Sequence, residues 1–493
     1  MATQSSGKKK EIMRIERESV IMTLKPRLVM GLADLLEVDS DRKEFLTLCR
    51  RIDSTIRAWY HNEFEEVMQL YSLFDPVHGA KKLEQQNLSP PKVDALEQQF
   101  VRHLFKIMEK SNYKILNEEE VEIATSGQYL LNLPIAVDTS KLDSKLFSTY
   151  FANNPQEGLP GFVDQYVIFR QGVGIDRTTD YFITEKIDAL IGRFWEYLIQ
   201  KLRLRRLFFS KQLNRASSSI RRIVDSIPDT SGTSEEDLYV ERIRIQNLSL
   251  SVKNLLSKTT VQEPTFERIV LIYRCATPSK STLKHGDRAI HIKQFRNIPM
   301  ADMELVLPEK KNPGLTPMDW TKLLITAGLG LVTLVTSLEM PKADFWVVSA
   351  ILMGVIGYCV KIFLSFQQNL IEYQNLITRS MYEKQLDSGR GTLLHICDDM
   401  IQQEVKEVIL AYFVLISRGR ASKDDLDKRC EELMLEEFQE KCDFEVEDAV
   451  KKMERLGIVT RDSVGRYCHV PLSRANEIIG LTTEERVSKA SGS

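Results

Sequence analysis

Two uncharged apolar runs, LLITAGLGLVTLVTSL (323 to 338) and FWVVSAILMGVIGYCV (345 to 360), stand only six residues apart. Each is longer than the 10 to 14 apolar residues that suit a core helix. At 1.5 Å per residue a 16-residue run covers about 24 Å, short of the roughly 30 Å of a bilayer core. Flanking residues must close the gap: Lys322 and Lys361 can snorkel, and IFLSFQQNLI after Lys361 adds ten uncharged residues. The pattern predicts a two-helix transmembrane hairpin over residues 321–366, with Ala350 and Gly354 as a small-xxx-small pair. So short a connection makes the helices antiparallel and places both flanking parts, and both termini, on one face. Lys310, Lys311 and Lys322 before the hairpin and Lys361, Arg379 and Lys384 after it outweigh Lys342 in the loop. That face is therefore expected to be cytosolic, or the matrix side if the chain is imported.

The 493 residues carry 67 basic and 69 acidic side chains, a net charge of −2, with 43% hydrophobic residues, which excludes a wholly disordered chain. Near-neutrality gives no global reason to bind nucleic acid. Seven cysteines form no CxxC pair, so neither a disulfide scaffold nor a zinc knuckle is implied. The opening MATQSSGKKKEIMRIERESVIM has no apolar core, and Glu11, Glu16 and Glu18 interrupt any acid-poor transit stretch. Neither a secretory signal nor a strong import signal is expected there.

Periodicity predicts a mixed α/β, helix-rich fold: an α+β N-terminal region, the hairpin, and a C-terminal helical, winged-helix-like module. Helical spacing recurs in Phe45, Leu48, Cys49 and Ile52, and again in Leu96, Phe100, His103, Leu104 and Ile107. Strands are expected at 129–137, 165–171, 266–274 and 288–295, where β-branched and aromatic residues concentrate. The expected organisation is a disordered start (1–18), a helical plus α/β region (19–227) and a linker, PDTSGTSEED (228–237). An amphipathic helix (about 238–256) with strands (238–320) completes the N-terminal domain. The hairpin, a C-terminal domain (367–480) and a disordered tail (481–493) follow. In the C-terminal part Ser422 is placed to cap a helix with acids in its first turn. EVEDAVKKMERLG (445 to 457) then leads into a two-stranded wing turning at Ser463 to Gly465. Residues 421–480 hold 15 acids and 10 bases, a local net of −5, so phosphate would be repelled and DNA is not expected as a partner.

Three stretches, YVIFRQGVGIDRTTDYFITEKID (166 to 188), RAIHIKQFRNIPMADMELVLP (288 to 308) and KQLDSGRGTLLHICDDMIQQEVKEVILAYFVL (384 to 415), stand in order around the apolar pair. Over most of residues 100–480 the chain resembles the membrane-protein family catalogued as domain of unknown function 3754, which includes transmembrane protein 143. The overall look is closest to plant-type members. The resemblance implies an integral membrane protein of undefined biochemical role, with mitochondrial residence known for the animal relative. It supplies no catalytic residues.

Signatures of chemistry are sparse. No HExxH, GxSxG, GxGxxG or P-loop occurs; GVG (172 to 174) and GRG (389 to 391) read as turns, and the DTS triplets at Asp138 and Asp229 as chance. Asp176, Arg177 and Asp180 read as charges closing a turn after a strand. No catalytic, cofactor or metal site is assigned. The charge-bearing stretch is KLRLRRLFFSKQLNRASSSIRR (201 to 222), eight bases and no acid. As a basic amphipathic helix it would offer Lys201, Arg203, Arg205, Arg206, Lys211, Arg215, Arg221 and Arg222 to anionic lipid. The functional expectation is a membrane-anchored interaction or scaffolding protein. A membrane-associated, peptidase-like hydrolase and a lipid-handling protein are the alternatives.

Overall fold

The computed structural model describes residues 11–15, 18–118, 120–121, 137–181, 238–242, 257–276, 288–310 and 345–491, with Lys186, Leu190, Gly328 and Val332 as isolated positions. Among these the chain is helix-rich around one five-stranded antiparallel sheet. The N-terminal helices are α1 (Lys25–Asp34), α2 (Asp39–Phe74), α3 (Gly79–Gln86), α4 (Pro90–Lys110) and α5 (Lys145–Asn153). Phe45, Leu48, Cys49, Ile52, Ile56 and Tyr60 recur at three- and four-residue spacing along α2 and are all buried. Pro90 sits in the first turn of α4, where its missing N–H costs nothing.

The sheet runs in the order β2 (Lys114–Ile115), β3 (Tyr166–Asp180), β5 (Thr259–Arg274), β6 (Ile290–Pro299) and β7 (Gln385–Ser388). Both of its faces are covered. Val167, Phe169, Val270, Ile272 and Ile292 point into the helical core. Ile168, Ile269, Leu271, Tyr273 and Phe295 point into a second core with Met300, Met303 and Val306. Two buried faces explain why the β5 sequence RIVLIYR is almost continuously apolar instead of alternating. Expected strands at 165–171, 266–274 and 288–295 coincide with β3, β5 and β6; of 129–137, only Val137 is described, in a bridge to Lys310.

Gln171↔Arg268 and Val173↔Phe266 keep one register on either side of Gly172, whose φ is +70°. The GVG stretch thus lies within β3 and is not a turn. Two further readings change. Residues 11–15 are strand β1 (Glu11–Ile15), and the expected helix at 238–256 begins as strand β4 (Leu238–Arg242), the two pairing antiparallel from Glu11↔Arg242 to Ile15↔Leu238. LYVER and EIMRI are both strand-compatible once each has a partner, and that pairing overrides helical periodicity. Residues 243–256 lie outside the described residues.

After the sheet comes α6 (Phe345–Lys384), 40 residues long. The transmembrane hairpin, and with it the integral membrane placement, is corrected here: among the described residues no helix is long and apolar enough to cross a membrane. Apart from Gly328 and Val332, residues 323–338 lie outside the described residues. The second run does not end as a span would. It opens a helix of about 60 Å whose last turns seat on the protein through buried Ile377, Met381 in the second core, and Lys384, which donates to the Asn297 carbonyl at 2.8 Å. Among the described residues nothing approaches a side chain built at Gly354 within 4 Å.

The C-terminal part consists of α7 (Arg390–Ser417), α8 (Lys423–Phe438), α9 (Val446–Leu456), the hairpin β8 (Val459–Arg461) and β9 (Tyr467–His469), α10 (Leu472–Ile479) and α11 (Thr483–Ser491). Ser422 Oγ accepts from Asp425 N–H at 3.2 Å, the expected cap. α7 packs against α1, α2, α4, α8 and α9, and residues from both ends of the chain form one core.

A side chain at Gly172 would have to tolerate positive φ beside Met22 Sδ, 3.2 Å from the added Cβ, and Glu267 Cβ, 3.3 Å from it. Gly172→Val should therefore cost about 1–2 kcal/mol or more, measured as a lower urea midpoint at unchanged m-value.

Candidate functional site

Helix α7 carries Gln403, Glu404, Lys406 and Glu407 in its fully buried middle. A buried charge must be paired and hydrogen-bonded, and these four build two connected constellations. The first is an ion cluster in which Lys452, from α9, lies 2.8 Å from each of Glu404, Glu407 and Asp448. Tyr60 donates to Glu404 at 3.0 Å, and Lys110 donates to Tyr60 at 2.9 Å. Burial lifts the Glu404 carboxyl above the usual range against the pull of Lys452. Burial alone would lower Lys452, but Glu407, Glu404 and Asp448 hold its pKa above that of a free lysine.

The second constellation holds an irregular segment, residues 18–24, that bends at Ser19, Val20 and Thr23 and belongs to neither helix nor sheet. Gln403 accepts the Ile21 N–H at 3.2 Å and donates to Ser19 O at 3.4 Å, to which Asn112 also donates at 3.1 Å. Lys406 donates to the carbonyls of Ile21 and Thr23. The Glu440 carboxylate accepts from the Met22 N–H, the Thr23 N–H and the Thr23 hydroxyl. Asp443 N–H donates to Glu18 O at 3.0 Å, and the Glu18 carboxylate pairs with buried Arg170. Gln403 also donates to Glu407 at 3.0 Å, which ties the clamp to the ion cluster.

A cavity of about 320 Å³ opens beside this segment, lined by Met22 and Leu24 from it, Gln171 and Arg268 from the sheet, and Asp399, Gln403 and Lys406 from α7. Arg268 is ion-paired with Asp399. Burial alone would lower Arg268; Asp399 and Tyr113 keep its pKa high. Burial brings the Lys406 amine down to about 8, although Glu440 and Glu407 favour its charged form. The site offers backbone donors and acceptors, two cations and an apolar slot, which is recognition chemistry. A second cleft of about 530 Å³, with Arg102, Lys114 and Asn117 above Phe105, Tyr150 and Phe169, lies at the β2 edge of the sheet.

The bases Lys201, Arg203, Arg205, Arg206, Lys211, Arg215, Arg221 and Arg222 lie outside the described residues, as do His285 and Asp229. Asp176, Arg177 and Asp180 stand on the far end of β3 and not in a turn; Arg177 donates to Gln262 at 2.8 Å. His291 stacks on Tyr273 with ring centroids 4.8 Å apart. Asp138 precedes a 3₁₀ turn, Thr139–Lys141. Among the described residues no three His, Cys, Asp or Glu side chains come together to hold a metal. Sequence reading overlooked Gln403, Lys406, Glu440 and the segment 18–24. The available signal was polar residues interrupting a stretch, MIQQEVKEVILAYFVL, whose apolar residues fill every helical face.

A family model described as Protein of unknown function (DUF3754) matches residues 266–391. The matched stretch runs from β5 through β6 and α6 into the first turn of α7, and includes Arg268. Of the three stretches that carry the resemblance, 288–308 lies wholly within it, 384–415 only as far as 391, and 166–188 outside. The match brings with it neither a membrane nor a plant assignment. No curated protein and no solved structure matches the chain.

Lys452→Met leaves Glu404 and Glu407 buried without their cation and should cost about 3–5 kcal/mol by urea denaturation. Arg379→Met, which breaks an exposed i,i+4 pair with Glu383, should cost no more than about 0.5 kcal/mol. Asp427, on α8, is pushed up from 3.8 to about 6 by burial and by Glu431, Asp443 and Asp424. Its neutral form is the one the fold favours, so stability is lost as pH rises through 6. Asp427→Asn should raise Tm at pH 7.5, with the gain shrinking toward pH 4.

Proposed function

Through residues 266–391 the chain belongs to the DUF3754 family, whose function is unknown, and from its geometry we propose that it is an assembly protein that associates with a second copy of itself along α6. The observation that carries this is a stripe on α6. Met353, Ile356, Val360, Phe363, Leu370, Ile377 and Met381 follow heptad positions along one line of the helix, with Gln367 and Gln374 between them. At the C-terminal end the line is buried: Ile377 and Met381 pack on the body of the protein. Its continuation toward the N-terminus is open, with Met353 67%, Val360 50% and Phe363 58% exposed. A helix apolar along so much of its length needs cover. Seating each of these side chains against a partner contributes about 1.5–3 kcal/mol. The stripe from 353 to 360 has no charge, so two copies meet without like-charge repulsion, and a two-fold contact matches the patch to itself.

Sedimentation velocity of the full chain tests this. A dimer or larger species is expected at micromolar concentration, dissociating to monomer in Met353→Asp/Val360→Asp with an unchanged circular-dichroism melt. A monomer at tens of micromolar overturns the proposal. So does co-flotation of the wild type, but not the double variant, with phospholipid vesicles, which would assign the stripe to lipid.

A further inference from the structure

Residues 18–24 are held as a bound peptide is held. The backbone of this irregular segment makes most of its hydrogen bonds to side chains that converge from distant parts of the chain: Asn112 after α4, Gln403 and Lys406 on α7, and Glu440 after α8. Peptide-recognition grooves work in the same way, taking affinity from main-chain hydrogen bonds and specificity from a few side-chain pockets. Ser19 and Val20 are buried, and three side chains of the segment define its spacing. Glu18 pairs with Arg170, Ile21 is 1% exposed in the main core, and the Thr23 hydroxyl donates to Glu440. Leu24 is 71% exposed, and the cavity beside Met22 remains open against Arg268 and Gln171, so this occupant does not fill the groove.

We propose that the groove between β3 and α7 is a binding site for a short peptide segment, which residues 18–24 occupy in cis. The peptide would carry an acidic residue, an aliphatic residue three positions later and a hydroxyl residue two beyond that. The backbone contacts are indifferent to sequence, so a partner segment with those three residues makes the same bonds. It can add contacts in the open cavity, where Arg268 faces it. The resident segment competes at the effective concentration of a tethered ligand, on the order of millimolar, so the groove of the intact chain opens only to a peptide that outbids it. This inference does not depend on α6.

A fluorescein-labelled peptide of sequence ESVIMTLK, residues 18–25, is titrated by anisotropy into the full chain and into Ile21→Asp, which weakens the resident segment while leaving the groove residues intact. At least tenfold tighter binding to Ile21→Asp than to wild type, lost again in Ile21→Asp/Gln403→Ala, supports the proposal. Equal, weak binding to both folded proteins overturns it, because the segment is then a fixed part of the core. If Ile21→Asp does not fold, hydrogen exchange on the wild type decides. Faster exchange at residues 18–24 in about 5 mM unlabelled peptide, but not in a scrambled one, supports displacement; unchanged exchange overturns it.

Discussion

Helix α7 is buried without a break from Gln403 to Leu415, yet this stretch carries Gln403, Glu404, Lys406 and Glu407. In a low-dielectric interior an unpaired charge costs several kcal/mol, so each of these groups needs partners with suitable geometry. Those partners come from far along the chain: Tyr60 on α2, Lys452 on α9, and the backbone of residues 19–23. Because the ion cluster and the clamp share Glu407 through Gln403, the placement of α9 and of the N-terminal segment are linked by one hydrogen-bonded network. Apolar packing alone would bring helices together around α7. The buried charges restrict which arrangement is acceptable.

The sheet is subordinate to this axle. Its helical face carries Val167, Phe169, Val270 and Ile272 into the core that α7 shares with α2 and α4. The missing side chain at Gly172 lets Met22 lie close over β3, and Arg170 and Gln171, just before it, reach Glu18 and the Ser111 carbonyl. Helix α6 connects to the same body through its C-terminal turns. Most of its apolar length has no described cover, which is why its stripe and the groove under residues 18–24 are separate questions with separate occupants.

Local readings succeeded where local physics decides. Ser422 caps α8, Gly457 ends α9 with φ +71°, and the wing turns through Gly465 at φ +85°. The apolar runs at 166, 266 and 290 are strands because β-branched and aromatic residues concentrate in them. Residues 11–15 and 238–242 were misread because a strand in a two-stranded ribbon is defined by a partner more than 200 residues away. The apolar segment at 345–360 was read correctly as helical, but hydropathy does not report where a helix ends or what its far end touches.

The amino-acid sequence by itself determined the helix-rich, mixed character of this protein, the main strands of its sheet, the caps and wing of its C-terminal part, and the match of residues 266–391 to one family model. These follow from propensity, periodicity and short-range hydrogen bonding, all of which act within a few residues. Only the tertiary structure decided that residues 18–24 thread between β3 and α7, that Lys452 closes a cluster of three carboxylates, and that α6 runs on to dock against the sheet. Each of those depends on side chains hundreds of residues apart meeting in a dry interior, where the cost of an unpaired polar group selects one arrangement among many that hydropathy alone would allow.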